Sequence, residues 1–322
     1  MKKCVGIDVG YGYLKVVMEG GETYVNRSVV ATYEGNKIAS EMNDYSTDTV
    51  ITHEGQKYIC GNQAYKHGDL IINTLDTDWI DTRAYQVLLK LALQKATVES
   101  TNDNLIIVSG LPISVYRRDK DKLARLISGI AKDYCLSCEV RVVAQALGAF
   151  YSCYRFANDA EQNLLNKAAI GIIDVGYYTT DFITIDNQEV MEKEIQSINT
   201  GTSVALKRIQ SDLANIGISR EMNIIEKAAM DGIITDRTIK KNITVLVRNR
   251  LKSLANVIAS QARSIWGSAG KLDLIYLTGG GAELLNPYIC DYPQIQVMKN
   301  AQLANAIGYL LLAQFVRDSK ED

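Results

Sequence analysis

The chain has 322 residues, 47% of them hydrophobic and 22% charged, with a formal net charge of −2. That length and composition exclude a disordered chain and leave room for two compact lobes, each with its own core. There is no surplus of Lys and Arg to neutralise a run of phosphates, so no direct nucleic-acid partner is expected and any DNA cargo would need an adaptor.

The first apolar run stops at Asp8, too early for a signal peptide, and no run approaches the roughly 18 apolar residues of a membrane span. The expected location is the cytoplasm, with no membrane partner. Six cysteines are scattered along the chain, a pattern of reduced thiols rather than a disulfide framework. Cys135-Leu-Ser-Cys138 is a lone C-x-x-C, and only His53 and His67 could complete a zinc site; both histidines read as surface residues, and the cysteines as ordinary buried or half-buried thiols.

Lys3 to Val9 reads as a buried strand, Tyr13 to Met18 as its hairpin partner and Glu22 to Ala31 as a third strand. Residues 32–78 are polar and poorly periodic, with a short β signal at Lys57 to Cys60, and form a small inserted subdomain. An amphipathic helix follows at Thr82 to Thr97, then a strand at Leu105 to Ser109, the turn Gly110-Leu-Pro112 and a charged helix from Asp119 to Asp133. A strand at Glu139 to Val143 runs into a helix over Gln145 to Phe156. This alternation predicts an α/β fold with parallel strands and crossover helices.

Asn158 to Asn166 is a polar interruption, after which the pattern restarts. Ala169-Ile-Gly-Ile-Ile-Asp174-Val-Gly176 echoes Cys4-Val-Gly-Ile-Asp8-Val-Gly10, and each is followed by a second strand, the later one at Asp181 to Ile185. The repeat predicts two similar lobes, the first over 1–157 and the second over 158–302, with a C-terminal segment 303–322 packing back on the first. The second lobe is expected to hold helices at Ser203 to Ile216, Arg220 to Met230 and Ile239 to Ile265 (a helical subdomain over about 203–266). A strand at Leu272 to Leu277, a short one near Ile295 to Met298 and a helix from Gln302 to Arg317 complete it.

A strand ending in Asp, followed by a hairpin with Gly at its tip, presents backbone N–H groups without a Cβ in the way, which suits polyphosphate oxygens. The Asp is then placed to hold Mg2+ through water. Lys15 follows the first copy at a spacing that lets its ammonium reach back. Thr278-Gly279-Gly280-Gly281-Ala282 comes directly after a buried strand, where the chain can approach a flat ring or a phosphate closely. Neither a Rossmann G-x-G-x-x-G nor a P-loop occurs, which disfavours dinucleotide enzymes and P-loop NTPases. Singly, Asp8 and Asp174 would pass as turn residues, Lys15 as an outward strand residue and Gln145 as a helix start; the repetition argues otherwise.

These segments resemble the actin, sugar kinase and DnaK-type chaperone superfamily, and within it the ParM/StbA-type plasmid-segregation actins and their archaeal actin-like relatives. Asp8-Val-Gly10-Tyr11-Gly12-Tyr13-Leu-Lys15 is similar to the first phosphate motif, Asp174-Val-Gly176-Tyr177-Tyr178-Thr179-Thr-Asp181 to the second, and Leu277-Thr-Gly279-Gly280-Gly281-Ala282 to the adenosine motif. Val143-Ala-Gln145-Ala-Leu-Gly-Ala resembles the first connecting helix and Asn305-Ala-Ile-Gly308 the second; Ser109-Gly-Leu-Pro112-Ile and Cys60-Gly-Asn-Gln-Ala64 point to the ParM-type branch.

The resemblance implies a duplicated, ribonuclease-H-like bilobed fold that binds ATP, or GTP, in a cleft, with Mg2+ near Asp8 and Asp174. Gln145 would orient the attacking water, which suffices where catalysis is mainly positioning and charge stabilisation. Gly201, Thr202, Glu226 and Lys227 match segments that border the adenosine in relatives. Tyr11, Tyr13, Tyr177 and Tyr178 stand where many members place Ser, Thr or Gly, so phosphate contacts fall to the backbone there. The implied activity is ATP hydrolysis coupled to a head-to-tail filament of the chain itself, which separates plasmid copies through a DNA-binding adaptor. A small-molecule kinase of the same fold would need a carboxylate base, for which Asp76, Asp78 and Asp81 form no motif. A chaperone of this fold would need a substrate domain after the core.

Overall fold

The segment KCVGIDV forms β1 (Lys3–Val9), the central strand of its sheet, buried from Cys4 onward. A computed structural model describes residues 2–35, 49–72, 78–97, 104–135, 137–289 and 292–319. It divides into two units: unit 1 is Met1–Leu111, Val115–Gly148 and Ala306–Asp322, and unit 2 is Pro112–Ser114 and Ala149–Asn305.

In unit 1, β1 pairs antiparallel with β2 (Tyr13–Met18), which pairs with β3 (Thr23–Arg27). The predicted third strand over Glu22 to Ala31 is in fact two. The chain breaks at Ser28, whose N–H donates to Gly12 O (2.9 Å) and whose Oγ donates to Gly10 O (2.6 Å). Beyond the break, β4 (Val30–Thr32) joins a separate small sheet with β5 (Val50–His53) and β6 (Gln56–Cys60), in the order β4-β6-β5. α1 (Asn62–His67) follows it.

After α2 (Arg83–Ala96), capped by the Thr82 side chain, β7 (Asn104–Leu111) and β8 (Ser137–Ala144) add to β1 in parallel, giving the order β3-β2-β1-β7-β8. The expected turn at Gly110-Leu is strand, and a Cβ on Gly110 would collide with the Tyr309 hydroxyl. Between β7 and β8, α3 (Ile113–Ala131) starts directly after Pro112, six residues earlier than the charge pattern indicated. Pro tolerates the first positions of a helix, where no backbone N–H partner is needed. α4 (Gln145–Phe156) matches its predicted span and carries the chain from unit 1 to unit 2.

Residues 158–166 are also helical: α5 (Asp159–Leu165) is started by a capping box in which Asn158 and Glu161 exchange side-chain and backbone bonds. Unit 2 then repeats the plan of unit 1. β9 (Ala169–Val175) pairs antiparallel with β10 (Thr180–Asp186), and β15 (Leu274–Thr278) and β16 (Ile295–Val297) extend the sheet in parallel. β11 (Glu189–Val190) and β12 (Gln196–Ile198) both pair with β10.

The helical part of unit 2 comprises α6 (Thr202–Asn215), α7 (Met222–Asp231) and α8 (Thr244–Trp266). The helix expected to begin at Ile239 begins at Thr244. Its place is taken by a hairpin of β13 (Ile233–Asp236) and β14 (Ile239–Asn242), set off by left-handed Gly232 (φ 67°) and turned at Arg237 (φ 56°). α9 (Ala282–Leu285) follows β15, and α10 (Ala304–Asp318) returns the chain to unit 1. There it lies directly on β1, where a Cβ on Gly6 would collide with Ala306 O, and it crosses α4 with Gly308 against Gly148. Only glycine lets two helix backbones approach that closely.

Among the described residues no helix is long and apolar enough to cross a membrane. Part of the tyrosine content is core: Tyr58, Tyr85 and Tyr309 are among the largest fully buried side chains. His53, read from sequence as a surface residue, is 7% exposed, because strand alternation turns it inward with Ile51. Burial lowers the proton affinity of its imidazole, and the Lys90 charge adds to the effect.

Candidate functional site

Parallel strands point their carboxyl ends to one edge of a sheet, and ligands in open α/β sheets bind beyond that edge. In unit 1 the edge carries Asp8 at the end of β1 and Gln145 immediately after β8. In unit 2 it carries Asp174 near the end of β9 and Gly279 immediately after β15.

The first hairpin is closed by Gly10 N donating to Tyr13 O (3.1 Å), and the second by Gly176 N donating to Thr179 O (2.9 Å). The two loops span Gly10 to Tyr13 and Gly176 to Thr179, the same length and the same closing bond. In each, the Asp has its cross-strand partner seven residues on: Asp8 is opposite Lys15, and Asp174 opposite Asp181.

The chemistry of the two positions differs. Lys15 Nζ donates to Asp8 Oδ2 at 2.8 Å, with Asp8 3% and Lys15 8% exposed, so the first carboxylate is neutralised in place. At the second position an amide donates: Asn305 Nδ2 donates to Asp174 Oδ2 at 2.8 Å, and Asp181 stands beside Asp174 with a buried Oδ1 that lacks a hydrogen-bond partner. Burial pushes the Asp181 carboxyl up to about 7; the Ser197 hydroxyl pulls it down and the Asp174 charge adds to the rise. Two adjacent buried carboxyl groups fit a hydrated divalent ion, which takes oxygen ligands and keeps much of its own water.

Unit 2 brings most of the sequence candidates together. Gly201, the N-cap of α6, abuts the second loop, where a Cβ would lie 2.6 Å from Gly176 O and Tyr177 O. Thr202 N donates to Gly176 O (3.1 Å) and Ser203 N to Tyr177 O (2.9 Å). The glycine triplet closes on the same place. Gly279, at φ +85°, has no room for a Cβ against Asp174 Oδ1, and Gly281 N donates to Val175 O (2.9 Å). A Cβ on Gly281 would meet Thr202 Cγ2 at 2.6 Å, and Ala282 begins α9 fully buried. Gly280 has open space where a Cβ would stand.

Two candidates on α7 diverge. Glu226 is 6% exposed, whereas the Lys227 side chain is 76% exposed and pairs with Asp231 (3.1 Å) one turn on. In unit 1 Gln145 is half-buried at the first turn of α4.

Three supporting residues were not picked out as site residues by sequence reasoning. Ser28 ties down both glycines of the first loop. Trp79 donates Nε1–H to Val9 O (3.1 Å) and stacks on Tyr11 with ring centroids 5.0 Å apart at 20°. Tyr85 meets Trp79 edge-on, and burial raises its phenol with the Asp8 charge contributing. Asn305 is the third. Each reaches its partner from far along the chain, so no local pattern marks it. Tyr13 faces a cation, with the Arg27 guanidinium 5.1 Å from the ring centroid.

Among the described residues, no group of three His, Cys, Asp or Glu side chains gathers as a metal site. Cys135 is buried, with Sγ donating to Ala131 O (3.3 Å), and Cys138 is half-buried. Of the carboxylates weighed for a kinase, Asp76 lies outside the described residues, Asp78 accepts from Arg118 (2.9 Å) and Asp81 from Lys122 (2.6 Å).

Residues 6–148 match the family of actin like proteins, N-terminal domain, and residues 172–290 match the archaeal actin homologue MreB-like, C-terminal domain. No curated protein sequence matches the chain. Among solved structures, a 15-stranded ParM filament from Clostridium botulinum is 22% identical with a TM-score of 0.82, over 98% of this chain and 99% of that one. A non-polymerisable quadruple mutant of pCBH ParM is 21% identical at 0.80, over 98% and 100%. The archaeal actin homologue Ta0583 in complex with ADP is 21% identical at 0.75, over 97% and 99%. The duplicated sheets, the paired Asp-led hairpins and the two family matches agree: the chain belongs to the actin-like proteins.

Proposed function

We propose that the chain is an ATPase that binds ATP with Mg2+ at the Asp8 and Asp174 hairpins and assembles head to tail with copies of itself, hydrolysis weakening the polymer. The observation that carries this reading is the repeat itself: two loops with the same closing bond, each behind an Asp at the carboxyl edge of its own sheet.

In this reading the backbone N–H groups of residues 10–13 and 176–179 hold the phosphates, since the tyrosine rings of both loops cannot replace a small hydroxyl. Lys15 supplies an ammonium to the same phosphates. Asp174, with Asp181 beside it, would hold a hydrated Mg2+, which when bound would supply positive charge to the phosphates. Gln145 orients the attacking water, and a neutral amide suffices because phosphoryl transfer depends on positioning. The close approach allowed at Gly201 and at Gly279 to Gly281 leaves backbone rather than side chains to face the nucleoside, with Thr202 and Glu226 at its border. Lys227 contributes least, because its ammonium is engaged by Asp231.

A repeated head-to-tail contact that does not close on itself generates an open filament. The Clostridium botulinum ParM filament supports self-assembly, and the archaeal homologue with ADP supports an adenine nucleotide. For a ParM-type protein the cargo would be plasmid DNA, held by a DNA-binding adaptor. A small-molecule kinase is the poorer reading, because Asp78 and Asp81 are both taken up by cations.

High-speed sedimentation with parallel phosphate release tests the proposal. With ATP and Mg2+ the protein should pellet and release phosphate, and with EDTA it should do neither. A chain that stays in the supernatant at high concentration with ATP and Mg2+, while phosphorylating an added acceptor, would sink the filament reading.

A further inference from the structure

Asp174 carries a contact that neither phosphate loop provides. Asn305, the second residue of α10 and 4% exposed, donates Nδ2–H to Asp174 Oδ2 at 2.8 Å. Its Oδ1 is buried without a hydrogen-bond partner. The orientation of the amide is dictated by chemistry, because an amide oxygen turned toward a carboxylate would set two acceptors against each other. Asn305 is itself held: the turn before it takes two bonds from the end of β15, Gly279 N (3.1 Å) and Thr278 Oγ1 (3.2 Å) both donating to Ala301 O. The other carboxylate oxygen of Asp174 rests against Gly279. The carboxylate is thus met from two sides, by the loop after β15 and by the start of α10.

The choice of an amide matters. In the first hairpin the cross-strand Lys15 holds Asp8 and cancels its charge. Asn305 holds Asp174 through a neutral amide, which adds no charge of its own. A buried acceptor left unsatisfied costs free energy unless a donor arrives with a ligand. A water on a hydrated divalent cation is such a donor.

We propose that Asn305 is a positioning residue for the divalent cation: Nδ2–H fixes the Asp174 carboxylate as an anion, and Oδ1 accepts a hydrogen bond from a water that the cation brings. The inference rests on the reading of Asp174 as the cation-facing carboxylate. It predicts that Asn305 controls the Mg2+ dependence of nucleotide binding rather than nucleotide binding as such.

The test is a titration of the full chain with a fluorescent ATP analogue, followed by anisotropy, once with Mg2+ and once with EDTA. Asn305→Leu keeps the side-chain volume and removes both polar ends, and Asn305→Ser keeps a small polar group should the first variant fail to fold. For the wild type Mg2+ should tighten binding. In the variant that increment should fall about tenfold or more, with the affinity in EDTA changed less than about twofold. A variant that keeps the wild-type increment overturns the proposal, as does an equal loss with and without Mg2+, or failure of both variants to fold; each would make Asn305 a packing residue. A wild type that binds the analogue no better with Mg2+ than with EDTA overturns instead the reading of the site.

Discussion

The two Asp-led hairpins share a loop length, a closing hydrogen bond and a cross-strand register, yet they differ in charge. Asp8 faces Lys15 and forms a buried, neutral pair; Asp174 faces Asp181 and forms a buried, acidic one. A duplicated backbone has therefore been given two electrostatic tasks. The first hairpin sets an ammonium against its carboxylate, and the second sets two carboxyl groups side by side, which favours taking up a proton or a cation. The same kind of change should consequently have opposite effects on the two sides.

The largest effect is expected at Lys15. Replacing it with Met leaves the Asp8 carboxylate buried and unpaired, and breaking a buried pair from one side costs about 3–5 kcal/mol. Thermal unfolding of nucleotide-free protein should show a marked drop for Lys15→Met, with most of it regained in the double variant Lys15→Met, Asp8→Asn. A single variant as stable as the wild type would mean that the first hairpin is not held by this pair.

Asp181→Asn should act in the other direction. Burial holds the Asp181 carboxyl at about 7, above its ordinary value of 3.8. The folded chain thus keeps a proton that the unfolded chain releases first. The stabilisation from that proton is complete below pH 3.8 and is lost as the pH rises to about 7, by at most about 4 kcal/mol. In EDTA the wild type should lose stability between about pH 5 and pH 8, and Asp181→Asn should remove that slope and be the more stable protein at the upper end. Urea denaturation at the two pH values measures it. A slope unchanged by the substitution would erase the charge difference between the hairpins.

How far these features were legible in the sequence follows from how local they are. β1, β9 and α4 are contiguous patterns: an apolar run stopped by Asp-Val-Gly, or a helix beginning at Gln145, and their spans agree with the structure. The break at Ser28 was not legible, because its cause is a bond back to Gly10 and Gly12. β14 was absorbed into the following helix, and β13 went unassigned, because Ile239-Lys-Lys-Asn carries no strong turn signal, the turn being made by Arg237 with positive φ. His53 was misplaced because a four-residue strand is too short for alternation to be read. Asn305 stood in a recognised segment, but its bond to Asp174 spans 131 residues, and only the folded chain reveals it.

The smallest expected effect concerns how each loop is braced. The second loop leans on backbone, through the N-terminus of α6, whereas the first leans on aromatic rings, with Tyr11 stacked on Trp79 and Trp79 bonded to Val9 O. A stacked pair contributes about 1 kcal/mol beyond the area it buries, so Tyr11→Ala should lower stability modestly. Its clearer signature is optical. The chain has two tryptophans, and Trp266 lies buried in unit 2, so uncovering Trp79, now 6% exposed, should shift emission to the red. Tyr177→Ala, in a loop held by main-chain bonds at Gly176 and Tyr177, should leave the spectrum unchanged. Equal shifts in the two variants would mean that the loops are braced alike, and that their difference is confined to Lys15 and Asp181.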